Sequence, residues 1–155
     1  MAVVVGKDGK VSLGADTIVG MGTWSIDGIT VDEFDASAFG DNWKSFAYGM
    51  KDGGTISFNG HFDPRNETGQ VALQKANLDN IALTSMRLYY GTGTSSYYEP
   101  NQTAGFFYPN TTLSSGQDTP VSNVRITSFN IGLDKGGLGT ISFTAKVSGL
   151  MVHTK

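Results

Sequence analysis

Most of the chain alternates between apolar and polar residues with a period of two, and clusters of Gly and Asp interrupt the alternation. In "GTISFNGHFD", Ile56 and Phe58 alternate with Thr55, Ser57 and Asn59. The same alternation recurs towards the end of the chain at Ile141, Phe143, Ala145 and Val147. A period of two is typical of short strands that bury one face. The pattern therefore predicts a mostly β protein.

Further segments carry the same signal: "KVSLG", "GTWSIDGITVDEF", "NIALTSMRLYYG" and "TAGFFYP". The stretch from Val121 to Val152 is predicted to be a long hairpin that turns at "DKGG", where Gly136 and Gly137 tolerate positive φ. We expect a β-sandwich or flattened barrel of two packed antiparallel sheets, with about seven to nine strands. The length of the chain suits a single domain over residues 1–155.

One α-helix is predicted at about residues 67–78, flanking a face or an open end of a sheet. Pro64 and Asn66 are helix start signals, and Asn66 or Thr68 is a plausible N-cap. The apolar edge of this helix is modest and comprises Val71, Gln74, Lys75 and Leu78.

Between two predicted strands we expect a long loop, at about residues 34–54, that is rich in aromatic and charged residues. It is too long for a hairpin turn and too aromatic for an ordinary solvated loop. Its candidate contact residues are Phe34, Asp35, Phe39, Asp41, Trp43, Lys44, Phe46, Tyr48, Lys51 and Asp52. Two interpretations stay open: a contact surface for another molecule, or a compact loop whose aromatic side chains, Phe34 and Tyr48 above all, cover the protein's own core.

Composition narrows the possible functions. Charged residues make up 16% of the chain, and the net charge is −3, which argues against attraction to phosphate backbones. There is no cysteine, so disulfides and thiolate metal sites are excluded. There is no run of 18 apolar residues, and we therefore expect no membrane span and no membrane partner.

Candidate catalytic and metal-binding residues do not form a recognisable constellation. His61 and His153 are not paired at ligand spacing. The acidic residues at 32–35 lack the alternate oxygen ligands and closing Glu of a calcium loop. Gly91 and Gly93 lack the rest of a dinucleotide-binding fingerprint. We expect no catalytic residue, metal or cofactor.

Three segments in order resemble a known family: "TWSIDG" at 23–28, "GGTISFNGHFDP" at 53–64, and the helix with Gln70 and Leu73 that follows at once. In this order of elements, which covers nearly the whole chain, the sequence resembles the major tail tube protein of long-tailed bacteriophages with non-contractile tails. The resemblance implies a β-sandwich or barrel flanked by a helix. Haemolysin-coregulated protein, a secretion-system tube protein, shares that architecture.

The resemblance also implies a function. Six copies would form a ring, and rings would stack into a hollow tail tube that surrounds the tape-measure protein and conducts double-stranded DNA without tight binding. Tail terminator and tail-tip proteins would be further partners in the virion, which is assembled in the host bacterial cytoplasm. The long segment at 34–54 would reach a neighbouring subunit or ring. The aromatic segment Tyr97–Tyr108 matches no feature of the family and would be an additional contact loop.

Physical arguments point the same way, because depleted charge and abundant aromatic residues are typical of interface cores. Short polar strand faces such as Thr55/Ser57/Asn59 could line a passage, accept a neighbouring sheet, or simply face water. A second hypothesis, from a different class, is a carbohydrate-binding β-sandwich module. A small enzyme is disfavoured, since no catalytic constellation is present.

Overall fold

The structure is a computed structural model, and it describes residues 6–90, 96–100 and 122–154. A short 3-10 helix, Gly6–Asp8, precedes the first strand. The strands are β1 (Lys10–Leu13), β2 (Asp16–Thr17), β3 (Met21–Asp27), β4 (Thr30–Asp35), β5 (Phe46–Asp52), β6 (Thr55–His61), β7 (Met86–Tyr89), β8 (Tyr97–Pro100), β9 (Asn123–Gly132), β10 (Thr140–Ser148) and β11 (Met151–Thr154). A single α-helix lies in the described part of the chain, α1 (Gln70–Leu78).

Two large antiparallel sheets organise the described residues. One has five strands in the order β11–β8–β7–β1–β2, and the other has four in the order β3–β6–β10–β9. The remaining pair, β4–β5, is a separate two-stranded sheet. The prediction of a mostly β, sandwich-like fold is confirmed. Eleven strands are described where seven to nine were expected, because short strands such as β2 carry too little alternation to be recognised in the sequence.

The core is built from the alternating residues of both sheets. Ile56 and Phe58 of β6 are buried, as predicted, and the Phe58 ring stacks on Phe143 of β10 with centroids 5.2 Å apart. The five-stranded sheet contributes a second layer of fully buried side chains, namely Val11, Met86 and Leu88. Burial of such side chains is the main stabilising term of the fold.

The predicted helix exists but begins at Gln70, three residues later than expected, and its N-cap residue is Gly69. Asn66 still contributes, because its side-chain oxygen accepts a hydrogen bond from the Gln70 N–H at 2.8 Å. The predicted apolar edge does not face the core, because Val71 and Leu78 are exposed. The buried face consists of Gln70, Leu73 and Ala76.

The buried polar residue of the helix, Gln70, has its hydrogen bonds satisfied inside the protein. Its amide nitrogen donates to the carbonyl oxygens of Val19 at 2.7 Å and His61 at 2.8 Å. Its amide oxygen accepts from the Asp63 N–H at 2.9 Å. Burying a polar group is tolerated when its hydrogen bonds are made. Gln70 thus ties the helix to the two loops beneath it.

The segment at 34–54 is not a loop throughout, which corrects the prediction. Phe46–Asp52 is strand β5, and it pairs with β4, so only residues 36–45 connect the two strands. The signal was the alternation of Phe46, Tyr48 and Met50, which has the period of a strand.

The long hairpin is confirmed for β9 and β10, with Phe129 opposite Phe143, but it ends at Ser148, because Met151 and Val152 belong to β11 of the other sheet. Its turn differs from the prediction, since neither Gly136 nor Gly137 has positive φ. Instead, the Gly137 N–H donates to the Asp134 carbonyl at 3.2 Å. The strand expected in "NIALTSMRLYYG" is shorter than its pattern, β7 alone, and "TAGFFYP" lies outside the described residues.

Candidate assembly surfaces

Residues 30–52, here called the arm, form a hairpin separate from the two large sheets. β4 and β5 pair with each other and with no other described strand. Every residue of the arm is exposed in this chain. Because an isolated two-stranded hairpin is at best marginally stable in water, we expect such an element to gain from contact with another surface.

The aromatic side chains of the arm do not cover the core of their own chain. Phe39 is fully exposed and Trp43 is 87% exposed. Phe34 and Tyr48, the two residues for which a core-covering role was considered, are 59% and 67% exposed. None of the arm's aromatic residues belongs to or packs against the core cluster. The arm thus presents a large apolar surface that this chain leaves uncovered.

The two faces of the arm differ in chemistry. Glu33 lies opposite Tyr48 and Asp35 opposite Phe46, so one face places an acidic row beside an aromatic row. On the other face, the Phe34 ring lies over Gly49, at an irregularity in the pairing, where it takes the space that a side chain would need.

The tip of the arm is ordered by local polar contacts. Asp35 accepts a hydrogen bond from the Ser37 N–H at 2.9 Å. The pKa of Asp35 is lowered mainly by the hydrogen bond from the Ser37 hydroxyl and then by the one from the Ser37 N–H. The Asp41 carboxylate accepts from the Ala38 N–H at 2.7 Å. These hydrogen bonds fix the backbone at the tip of the arm, and the nearby Trp43 is 87% exposed.

Glycines form the root of the arm. Gly28 and Gly54 have φ of 75° and 87°, in the left-handed region that favours glycine. A Cβ on Gly53 would collide with the carbonyl oxygen of Gly149. The chain can therefore pass closely against the body of the protein at the point where the arm leaves it.

An ion pair connects the arm to the four-stranded sheet at this root. The Lys146 ammonium lies 2.6 Å from the Asp52 carboxylate, whose same oxygen accepts from the Gly54 N–H at 2.7 Å. These two hydrogen bonds, chiefly the one from Lys146, lower the pKa of Asp52. Beside the ion pair, an apolar groove of about 600 Å³ is lined by Ile29, Met50 and Leu150, among others.

The outer side of the four-stranded sheet, here called the polar face, carries short polar side chains in rows across the strands. One row is Ser25, Ser57, Thr144 and Ser128, and the next is Thr23, Asn59, Ser142 and Asn130. Thr23 donates to Asn59 at 2.6 Å. Charges appear in the row nearest the arm, which comprises Asp27, Thr55, Lys146 and Arg125.

The acidic and histidine side chains of the described residues are dispersed. In residues 6–90, 96–100 and 122–154, no three His, Cys, Asp or Glu side chains come together in a way that could hold a metal ion. Glu33 and Asp35 lie on one face of β4, whereas Asp32 lies on the other. In the same residues, no helix is long and apolar enough to span a membrane. Gly91 and Gly93 lie outside the described residues.

The two histidines are not brought together. His61 ends strand β6, whereas His153 on β11 stacks on Tyr98 and exchanges a hydrogen bond with the Tyr90 hydroxyl. Of the aromatic segment Tyr97–Tyr108, the structure describes residues 97–100, which form β8. Tyr98 also contacts Trp24 edge-on, so this end of the segment packs on its own sheets.

No protein-family model and no curated protein matches the chain. A chain from the tail of an empty gene transfer agent particle, refined with C6 helical symmetry, shares 15% identity and a TM-score of 0.69 over 99% of this chain and 100% of that one. A chain from the cap that terminates the anti-feeding prophage tube has 12% identity and a TM-score of 0.65, over 100% of this chain and 93% of that one. A chain from the extended sheath–tube complex of an extracellular contractile injection system has 12% identity and a TM-score of 0.63, over 98% of this chain and 91% of that one. At these identities the likeness shows a common fold.

Proposed function

We propose that this protein is the subunit of a hollow tail tube and that residues 1–155 form a single tail-tube domain. The observation that carries the proposal is the arm, an aromatic hairpin that is wholly exposed in one chain. Such a hairpin suits an obligate assembly, in which a neighbour covers the apolar surface. The shared fold with chains of tail and tube particles supports the same conclusion.

The finer features of the proposal are these. Six subunits form a ring, as the C6 symmetry of one structural neighbour suggests, and rings stack into a tube. Contacts within or between rings use the arm residues Phe34, Asp35, Phe39, Asp41, Trp43, Lys44, Phe46, Tyr48, Lys51 and Asp52. The tube belongs to a non-contractile phage tail, surrounds a tape-measure protein and is closed by tail terminator and tail-tip proteins. It is assembled in the bacterial cytoplasm and remains in the virion.

The polar face is the best candidate for the wall of the passage. It presents short hydroxyl and amide groups in two uncharged rows, without large apolar residues. Such a wall offers double-stranded DNA neither a cationic patch nor a hydrophobic patch to hold it during ejection. The subunit itself acts structurally and has no role as an enzyme.

Electron microscopy tests the proposed function. The purified protein is imaged in negative stain at high concentration, alone and after co-expression with a tape-measure protein. Rings or hollow tubes of uniform diameter are expected. If light scattering shows a monomer in both preparations, the tube proposal is wrong. A monomer that also binds glycans would favour a carbohydrate-binding module.

A further inference from the structure

The helix α1 carries an apolar surface on its outer side. Val71, Lys75 and Leu78 follow one another at helical spacing on the exposed side, and Ile81 is the third residue beyond the end of the helix. We call these four residues the helix stripe. Leu78 is 76% exposed and Ile81 is 44% exposed. Helices on a protein surface usually direct charged and polar residues outwards, so the stripe is an unpartnered face.

The helix stripe is flanked by positive charge. Arg125 of β9 reaches the helix end, where it donates to the backbone carbonyl of Asn80 at 2.6 Å and to its side-chain oxygen at 2.9 Å. Neither Lys75 nor Arg125 belongs to an ion pair within the described residues. Asp79 adds one carboxylate at the C-cap. These three side chains together leave a net positive charge beside an apolar surface.

The arm has the complementary composition. It contains five carboxylates and two lysines, whereas the rest of the chain has nine acidic and nine basic residues. The whole net charge of −3 therefore lies in the arm. One face of the arm combines Phe46 and Tyr48 with Glu33 and Asp35. The apolar, acidic face of the arm is thus complementary to the helix stripe, which is apolar and flanked by positive charge.

Both surfaces are exposed in the same chain, so the arm does not cover the helix stripe of its own chain. We propose that the arm of one copy docks on the helix stripe of a second copy. Because two different surfaces meet, the contact is head-to-tail and repeats from subunit to subunit, which produces a ring or a helical stack. The proposal rests on the proposed tube function and names the surface that receives the arm.

Two other apolar surfaces compete for the arm. The groove at the arm root is lined in part by the arm's own Met50, Lys51 and Asp52, and the nearby Lys146 is paired with Asp52. The turn between β9 and β10 exposes Leu133 and Leu138 beside one acid and one base, Asp134 and Lys135. Electrostatic complementarity steers association and suppresses wrong partners. Of the two surfaces that lie outside the arm, the helix stripe has an excess of the charge opposite to that of the arm.

Assembly of matched variants tests the proposal. Leu78→Ser should raise the protein concentration needed for tube formation at least about tenfold, the change expected when a buried interface side chain is truncated. Leu138→Ser is the matched control, because Leu138 is 72% exposed, and it should assemble like the unmodified protein. Normal assembly of Leu78→Ser would overturn the proposal. Both variants should melt like the unmodified protein.

A charge exchange tests the pairing itself. Glu33→Lys and Lys75→Glu should each impair assembly several-fold, since each places like charges together across the interface. Combined in one chain, they should restore assembly. Neither side chain forms an ion pair in the described structure, so folding should survive both changes. A double variant no better than the worse single variant would contradict a direct contact between the two surfaces.

Crosslinking separates this proposal from the tube function. The chain has no cysteine, so two introduced thiols can be joined without background. Tyr48→Cys and Leu78→Cys proteins, mixed and treated with a short bismaleimide, should yield a covalent dimer. Tyr48→Cys mixed with Leu138→Cys should not. Tubes without the arm–helix crosslink would refute the docking surface alone, whereas the crosslink without tubes would refute the tube alone.

Discussion

Lys146 of β10 and Asp52 at the end of β5 lie 2.6 Å apart, which joins the arm to the four-stranded sheet by an ion pair. The two residues are 94 positions apart in the sequence. Both side chains are about half exposed, so the pair contributes little to global stability. Its importance is geometric, because it acts next to the glycines from which the arm projects and restrains the direction of the arm.

The Asp52 carboxyl should titrate below its ordinary pKa, because the hydrogen bond from Lys146 favours its ionised form. A group with a lowered pKa contributes its stabilisation above its ordinary pKa and loses it as the pH falls through the lowered value. The ion pair should thus be intact at neutral pH and be lost only as the pH falls below the ordinary pKa of an aspartate. NMR titration of the side-chain carboxyl carbon measures this pKa.

Lys146→Gln should raise the Asp52 pKa towards its ordinary value. Lys51→Gln is the control, since Lys51 neighbours Asp52 but forms no ion pair in the described structure. An Asp52 pKa that is the same in all three proteins would show that the ion pair does not form in solution.

Replacement of Trp43 and Phe46 by Ser should abolish tube formation without unfolding the subunit. Their side chains are 87% and 46% exposed, so the free energy of unfolding should change by no more than about 0.5 kcal/mol. Loss of an aromatic interface anchor typically costs about 2 kcal/mol or more, and a tube repeats that loss at every subunit. Microscopy and thermal melting measure the two effects.

Phe143→Ala provides the comparison for that experiment, because Phe143 is buried and its truncation should cost about 3–5 kcal/mol. If the Trp43/Phe46 variant also melted at a much lower temperature, the arm would be part of the subunit's own core. If it built normal tubes, the aromatic residues of the arm would have no part in assembly.

Gln70→Ala should destabilise the subunit by about 2 kcal/mol or more. The change leaves the carbonyl groups of Val19 and His61 and the N–H of Asp63 without their partner. Gln74→Ala, on the partly exposed side of the same helix, should have a small effect. Urea unfolding of the two variants distinguishes them, and equal midpoints would show that the Gln70 hydrogen bonds are dispensable.

The protein should not bind double-stranded DNA measurably at physiological salt. Its net charge is −3, and the central rows of the polar face carry no charge. Repulsion between like charges extends over a Debye length of about 8 Å under these conditions. Fluorescence anisotropy with a labelled duplex measures binding. A salt-sensitive, sub-micromolar affinity would reveal a cationic groove and would contradict a passage wall that lets DNA slide.

The alternating strands were predictable because a period of two is a local property of the backbone. Ile56 and Phe58 on β6, and the matching residues of β10, are buried as their spacing required. The existence of one helix near Gln70 and Leu73 was likewise encoded locally, by start signals and helix-forming residues. The arm's aromatic composition was visible too, and the alternation of Phe46, Tyr48 and Met50 was the available signal of its second strand.

The tertiary structure alone decided which side of the helix faces inwards. Gln70 is buried because the carbonyl groups of Val19 and His61, which are far apart in the sequence, converge on its amide, and such partners have no local sequence signal. The inward turn of Gln70 directs Leu78 and Lys75 outwards and creates the helix stripe. The same holds for Lys146 and Asp52, which meet only because β10 and the root of the arm are packed together. Sequence period sets the elements, whereas long-range packing and hydrogen bonding set which faces remain exposed.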